Sequence, residues 1–166
     1  LPNALLIAAI LILEVVVSIG GSGTIEHPAD PGKPPFPSIF ALPLLMEVEQ
    51  RVGAQRRTFP QCRWGCPAKK LTTITGVADQ TTMDEFVSRK CNHKKHDAEL
   101  AGVAESGLFR TRIAQACPQP MCRQLALAHV RWMLRQGPRA GSTSLSSRLV
   151  LEAISQFRAD RAKALP

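Results

Sequence analysis

Apolar residues form an almost unbroken run from Ala4 to Ile19, interrupted only by Glu14 and Ser18. A membrane-spanning helix needs about 20 apolar residues, and this run is shorter and contains a carboxylate, so we do not expect it to cross a membrane. It also lacks the basic residues that precede the apolar part of a secretion signal, which argues against secretion. We predict a buried helix that ends at the following glycines, because glycine adopts the left-handed turn that stops a helix.

A short strand and a group of polar residues follow this helix. Thr24 and Ile25 form the predicted strand, and Glu26, His27 and Pro28 come directly after it. Open α/β sheets bind their ligands at the carboxyl ends of their strands. Glu26 and His27 are therefore candidate site residues, although an ordinary solvated loop would have the same composition.

The rest of the domain alternates helices and strands. Apolar residues at helical spacing predict three helices, at 39–52, 79–89 and 121–136. Residues 56–59 and the β-branched run 71–77 predict two strands. This pattern indicates an α/β fold, with a sheet flanked by helices.

Composition divides the chain into three parts. Residues 1–136 carry the predicted elements, residues 137–144 have the glycine, proline and serine content of a linker, and residues 145–166 predict a basic amphipathic C-terminal helix. The chain does not begin with Met, so we expect it to be a piece of something longer.

The charge of the chain favours an anionic partner. The 166 residues carry a formal net charge of +8, and between residues 51 and 95 there are ten Lys or Arg against three acids. Such a concentration is typical of proteins that contact phosphates, so we expect DNA as a partner. A solvated helix face is the plainer explanation of a charge run.

The cysteines suggest metal binding. Five cysteines fit poorly with paired disulfides, so we expect a reducing compartment and an intracellular protein, nuclear or cytoplasmic. Cys62 and Cys66 have the spacing of half a structural zinc site, and Cys91 with His93 or His96 offers the other half. Buried free thiols are the alternative.

Two stretches carry a resemblance to a known family. The Glu26-His27-Pro28 corner and the stretch from Trp64-Gly65-Cys66-Pro67 to Gly76 resemble landmarks of the cytosine-C5 DNA methyltransferases, including divergent members from phages and mobile elements. In that family a Glu-Asn corner holds the flipped cytosine. A later aromatic-Gly-x-Pro turn leads into alternating basic residues and a strand.

The resemblance implies roles for individual residues. Glu26 matches the residue that holds the base, and His27 stands where the family has Asn. Lys70 matches the first alternating basic position and Thr72 occupies the second. Further contacts to DNA are implied for Arg63 and Lys69. The segment from Cys91 to His96 is similar to a Cys-x-His-x-x-His stretch in the phage-like members.

The resemblance also defines what is missing. It implies a partial Rossmann-like methyltransferase sheet, incomplete at its N-terminal side, and S-adenosylmethionine as the cofactor. The family's glycine-rich cofactor loop and Pro-Cys nucleophile precede the Glu corner, and nothing in this chain matches either. The chain would then be the DNA-facing half, inactive alone and dependent on an upstream half. Whether it is an enzyme stays open. The alternative is a basic, zinc-stabilised nucleic-acid-binding module without catalysis.

Overall fold

The protein is mixed α/β, with four helices and a three-stranded antiparallel sheet among the residues that its computed structural model describes, 2–33, 37–103 and 107–136. The predicted linker and C-terminal helix lie outside these residues. The helices are α1 (Pro2–Ser18), α2 (Pro43–Val52), α3 (Gln80–Ser88) and α4 (Gln119–Gln136). The strands are β1 (Gly23–Pro28), β2 (Gln55–Pro60) and β3 (Leu71–Val77).

The sheet has the order β1-β3-β2, and β3 is antiparallel to both neighbours. The outer strands β1 and β2 therefore run parallel to each other, and α2 lies between them in the chain. Glu26 and His27 were expected to follow β1, but they lie within it, because the strand pairs with β3 as far as Pro28 opposite Thr72.

Two apolar clusters cover the two faces of the sheet. The first joins Ile74 to Phe59, Phe86 and Met121, and so packs α3 and α4 onto one face. The second contains Ile10, Phe40, Leu45 and Val48, with Ile25 of β1 packed against it. Ile25 lies opposite Thr75, the neighbour of Ile74, so the clusters occupy opposite faces. As a result β3 is buried from residue 72 to residue 77.

Helix α1 ends at the predicted place, with Gly20 at a φ of 87° just beyond it. The prediction that it is buried was wrong for most of its surface. Ile10 and Leu13 are buried, whereas Leu5, Ile12 and Val15 are more than half exposed. No helix in the described ranges is long and apolar enough to cross a membrane.

The other elements were predicted with small shifts at their ends, and β3 was predicted to the residue. The helix predicted from residue 39 begins at Pro43, because residues 39–41 form a separate helical turn and proline is favoured at the first helical position. Asp79 caps α3 by accepting a hydrogen bond from the amide of Thr82 at 2.9 Å.

A pair of glycine substitutions tests the packing of β3 against β1. A Cβ at Gly76 would overlap the Gly23 carbonyl and lie 2.7 Å from the Cα of Thr24, whereas a Cβ at Gly53 would meet nothing within 4 Å. Gly53→Ala should cost about 1–2 kcal/mol, the penalty of its left-handed backbone. Gly76→Ala should cost clearly more, because the strands must also separate. Urea unfolding measures both changes, and equal losses would contradict this packing.

Candidate metal centre

Four potential metal ligands converge from two segments of the chain. Cys62 lies in the helical turn Gln61–Trp64 after β2, whereas Cys91, His93 and His96 lie in the loop that follows α3. One ligand atom from each residue falls within 4.8 Å of every other. The Cys91 sulfur is 3.6 Å from Nδ1 of His93 and 3.4 Å from Nε2 of His96. Ligands around a tetrahedral zinc ion are separated by about 3.4–3.8 Å, so the group can hold such a metal.

Contacts outside the group hold the loop against the turn. The Arg63 guanidinium donates a 2.7 Å hydrogen bond to the side-chain oxygen of Asn92. Arg89 stacks on the Trp64 ring at 4.1 Å. Farther along, the Ala98 amide donates to the Pro67 carbonyl at 3.1 Å. Side chains within the turn thus position the loop, and Cys62 faces its three partners.

The two thiols differ strongly in acidity. Hydrogen bonding from His93 lowers the pKa of Cys91 to about 6, with weaker contributions from Cys62 and His96. Burial raises the pKa of Cys62 to about 11, and its hydrogen bond with Cys91 adds to the rise. One thiol is therefore ready to bind a metal at neutral pH, whereas the other must lose its proton as the metal binds.

Cys66 was a predicted ligand, and the structure leaves it outside this group. It is buried with Ala68 and Ala114 in a small apolar cluster of its own. The spacing of Cys62 and Cys66 suggested half a site, but the turn directs the two thiols to different surroundings. His93 and His96, which were alternatives to each other in the sequence, both join the group.

A second polar group surrounds Glu26. Lys70 lies 3.3 Å from its carboxylate and also donates to the Ala114 carbonyl at 3.1 Å. Gln61 donates to the same carboxylate oxygen at 3.2 Å. The sequence paired Glu26 with Lys70 but missed Gln61, which is completely buried. The sequence signal for this role was the position of Gln61, a polar residue in a segment whose neighbours Phe59 and Cys62 are buried.

The remaining predicted DNA contacts are scattered. His27 points to the opposite face of the sheet from Glu26 and meets the Phe40 ring edge-on at 6.0 Å. Thr72 is completely buried, so it does not reach the surface. Arg63 bonds Asn92 in the loop that carries Cys91, His93 and His96, and Lys69 lines a surface cavity. Only Lys69 among these four is placed for direct contact with a large ligand.

Comparisons of the chain with protein-family models, with curated proteins and with solved structures find no match.

Alkylation of the metal-free protein tests the acidity of the cluster. Because thiolates are the reactive form, the rate at Cys91 should rise with pH around a midpoint near 6, while Cys62 should stay slow up to a midpoint near 11. In the His93→Ala variant the Cys91 midpoint should move up toward 9, the ordinary value. Mass spectrometry after iodoacetamide treatment at several pH values gives both rates. A shared midpoint for the two thiols would contradict the geometry.

Proposed function

We propose that this protein binds nucleic acid, DNA above all, through a basic surface that a zinc ion holds in shape. The observation that carries the proposal is the convergence of Cys62, Cys91, His93 and His96 within 4.8 Å. Two thiolates and two imidazoles form a closed tetrahedral set, which is the composition of structural zinc sites. A closed set leaves no coordination position for a substrate, so the role of zinc here is to stabilise the fold.

The segments that carry the ligands also carry much of the basic charge. Lys69 lies just after the turn that contains Cys62, and four further cations flank Cys91 and His96 at positions 89, 90, 94 and 95. Lysine and arginine side chains gain affinity for DNA by displacing counterions from its phosphates. A metal that fixes the two segments against each other therefore also fixes a cationic surface.

We also infer a reducing compartment, the nucleus or the cytoplasm, and the free thiols support this inference. All five cysteines are unpaired. Thiols that serve as metal ligands persist where glutathione and thioredoxin keep them reduced.

Zinc binding tests the proposal directly. Protein purified under reducing conditions should hold one zinc per chain, and Cys91→Ser or His96→Ala should lose it, because each removes a ligand. At free zinc about 100 times the Kd, the ion should add about 2.7 kcal/mol to the free energy of unfolding. Elemental analysis and thermal unfolding with and without chelator measure these effects.

Matched variants make the zinc result specific. Cys122→Ser removes an exposed thiol outside the group, and Cys66→Ala removes the buried one, so both should keep their zinc. Zinc retained in Cys91→Ser, or a wild-type protein that binds no zinc or binds no DNA, would overturn the proposal.

A second candidate function is favoured by the group around Glu26. As the DNA-facing half of a cytosine-C5 methyltransferase-like protein, the chain would present Glu26 to an extruded base, with Lys70 and Gln61 fixing the carboxylate at 3.3 and 3.2 Å. Hydrogen bonds to a carboxylate hold it in one orientation, which suits recognition of a base edge. The two candidates are compatible, since a zinc site can stabilise either protein.

The open edge of the sheet gives this second candidate further support. The described strands pair only in antiparallel fashion, so the parallel strands of a Rossmann-like sheet would have to come from the upstream half. Among the described residues β1 pairs only with β3, so its other edge is open, and α1 beside it exposes Leu5, Ile12 and Val15. An upstream half would add strands at that edge and cover the helix. S-adenosylmethionine would bind in that half, because this sequence has no glycine-rich cofactor loop.

Duplexes with a mispaired cytosine test the base-facing role. A mispaired base costs least to extrude, so the wild-type protein should bind such a duplex several-fold more tightly than the matched one. Glu26→Ala should abolish this preference, because it removes the carboxyl group that would hydrogen-bond the N3 edge of the extruded cytosine. Competition measured by fluorescence anisotropy gives the ratio, and Glu47→Ala, an exposed change on α2, should leave it intact. Equal binding of both duplexes by the wild type would rule out this candidate.

A further inference from the structure

A cavity of about 580 Å³ opens beside the metal cluster, and His96 forms part of its wall. We propose that this cavity receives phosphate groups of the bound nucleic acid, and that metal binding raises its affinity for them. The inference deepens the proposed function and rests on it: it assigns the contact to one place on the surface and makes the metal its regulator.

The cavity has the charges that a phosphate requires. Lys69, Lys95 and Arg110 line it, together with the acids Asp97 and Glu99. Arg110 and Glu99 pair at 3.6 Å and largely cancel each other. Asp97 offsets one of the two lysines, so the wall keeps a positive balance. A phosphodiester carries a single negative charge, which matches that balance.

The cavity continues toward the Glu26 group. A second cavity of about 440 Å³ shares Lys69 and Leu100 with the first and reaches Lys70 and Pro28. Lys69 therefore lies at the junction of a groove that runs from the metal loop to the end of β1. A nucleic-acid backbone is a linear array of phosphates, so an elongated groove with Lys95 and Lys69 along it suits this partner.

Ion pairing within the fold determines which basic residues are available to contact phosphates. Of the basic residues between positions 51 and 95, three arginines and Lys70 pair with carboxylates inside the fold: Arg51 with Glu14, Arg56 with Glu49, Arg57 with Asp84 and Lys70 with Glu26. In the part of the chain that the structure describes, Lys69, Lys90, Lys94 and Lys95 have no such pair. The uncommitted charge is thus concentrated around the metal loop.

The metal controls the groove through the backbone of the loop. Lys94 and Lys95 lie between His93 and His96 in the chain. They are not themselves members of the group that could hold the metal. Bonds from one metal ion to Cys91, His93 and His96 fix the intervening backbone. The loss of backbone entropy around Lys95 therefore occurs when the metal binds rather than when DNA binds. By thermodynamic linkage, DNA must then tighten metal binding by the same factor.

Charge-neutralising variants of the zinc-loaded protein locate the contact. Loss of one phosphate contact should lower DNA affinity about five- to tenfold at about 0.1 M salt and reduce the slope of log affinity against log salt by about 1. We expect this for Lys95→Gln and Lys69→Gln, with a short labelled duplex and its single strand as probes. Lys95→Arg, which keeps the charge, should retain most of the affinity.

Lys33→Gln is the matched control, because Lys33 is an exposed lysine that lies outside the two ligand-bearing segments and lines neither cavity. It should change affinity less than twofold. Wild-type binding with equal losses in Lys33→Gln and Lys95→Gln would overturn the cavity assignment and leave DNA binding standing. A wild-type protein that binds neither probe would overturn both. Circular dichroism melts verify that each variant is folded.

The linkage has a separate readout. Zinc affinity, measured by competition with a chromophoric chelator, should rise when saturating duplex is present, and by the same factor by which zinc raises duplex affinity. In Lys95→Gln this factor should shrink, although the four ligands are intact. A zinc affinity that does not respond to DNA would overturn the regulatory part of the inference.

Discussion

The pairing of β3 with both of its neighbours is the interaction on which the rest of the structure depends. Buried on both faces, this strand brings β1 and β2 into one sheet and supplies Ile74 to the main apolar cluster. The segment that leads into it carries Lys70, whose side chain extends back along the sheet to Glu26 at 3.3 Å. The backbone amide of Gln61 also donates to the Lys70 carbonyl at 2.8 Å, which joins the turn that contains Cys62 to the start of the strand. Both polar groups are therefore built outward from one central strand.

The secondary structure could be predicted from the sequence to a large extent because its signals are local. The β-branched run of β3, the glycine at the end of α1 and the helical spacing in α4 each lie within a few neighbouring residues. The exposure of α1 could not be predicted in this way. An apolar run indicates that a helix packs against another apolar surface. It does not show whether the described part of the chain supplies that surface.

The metal group was predicted only in part, because its geometry is not local. Cys62 and Cys91 belong to segments separated by a strand and a helix, and only the folded chain shows that they meet. Spacing favoured Cys66, which is close to Cys62 in sequence but buried with Ala68. The same limit applies to charge. The sequence counted Arg56 and Arg57 toward a cationic surface, whereas the fold pairs each with a carboxylate.

The turn Gln61–Trp64 gives adjacent residues four different tasks. Gln61 orients Glu26, Cys62 joins the metal group, Arg63 holds Asn92 of the loop, and Trp64 fills the apolar core against Phe86 at 4.5 Å. Residues so close in sequence move together, so a substitution at one of them disturbs the surroundings of the others. The turn is therefore a single mutational target for the candidate metal group and the carboxylate corner, because a change in its backbone shifts Cys62 and Gln61 together.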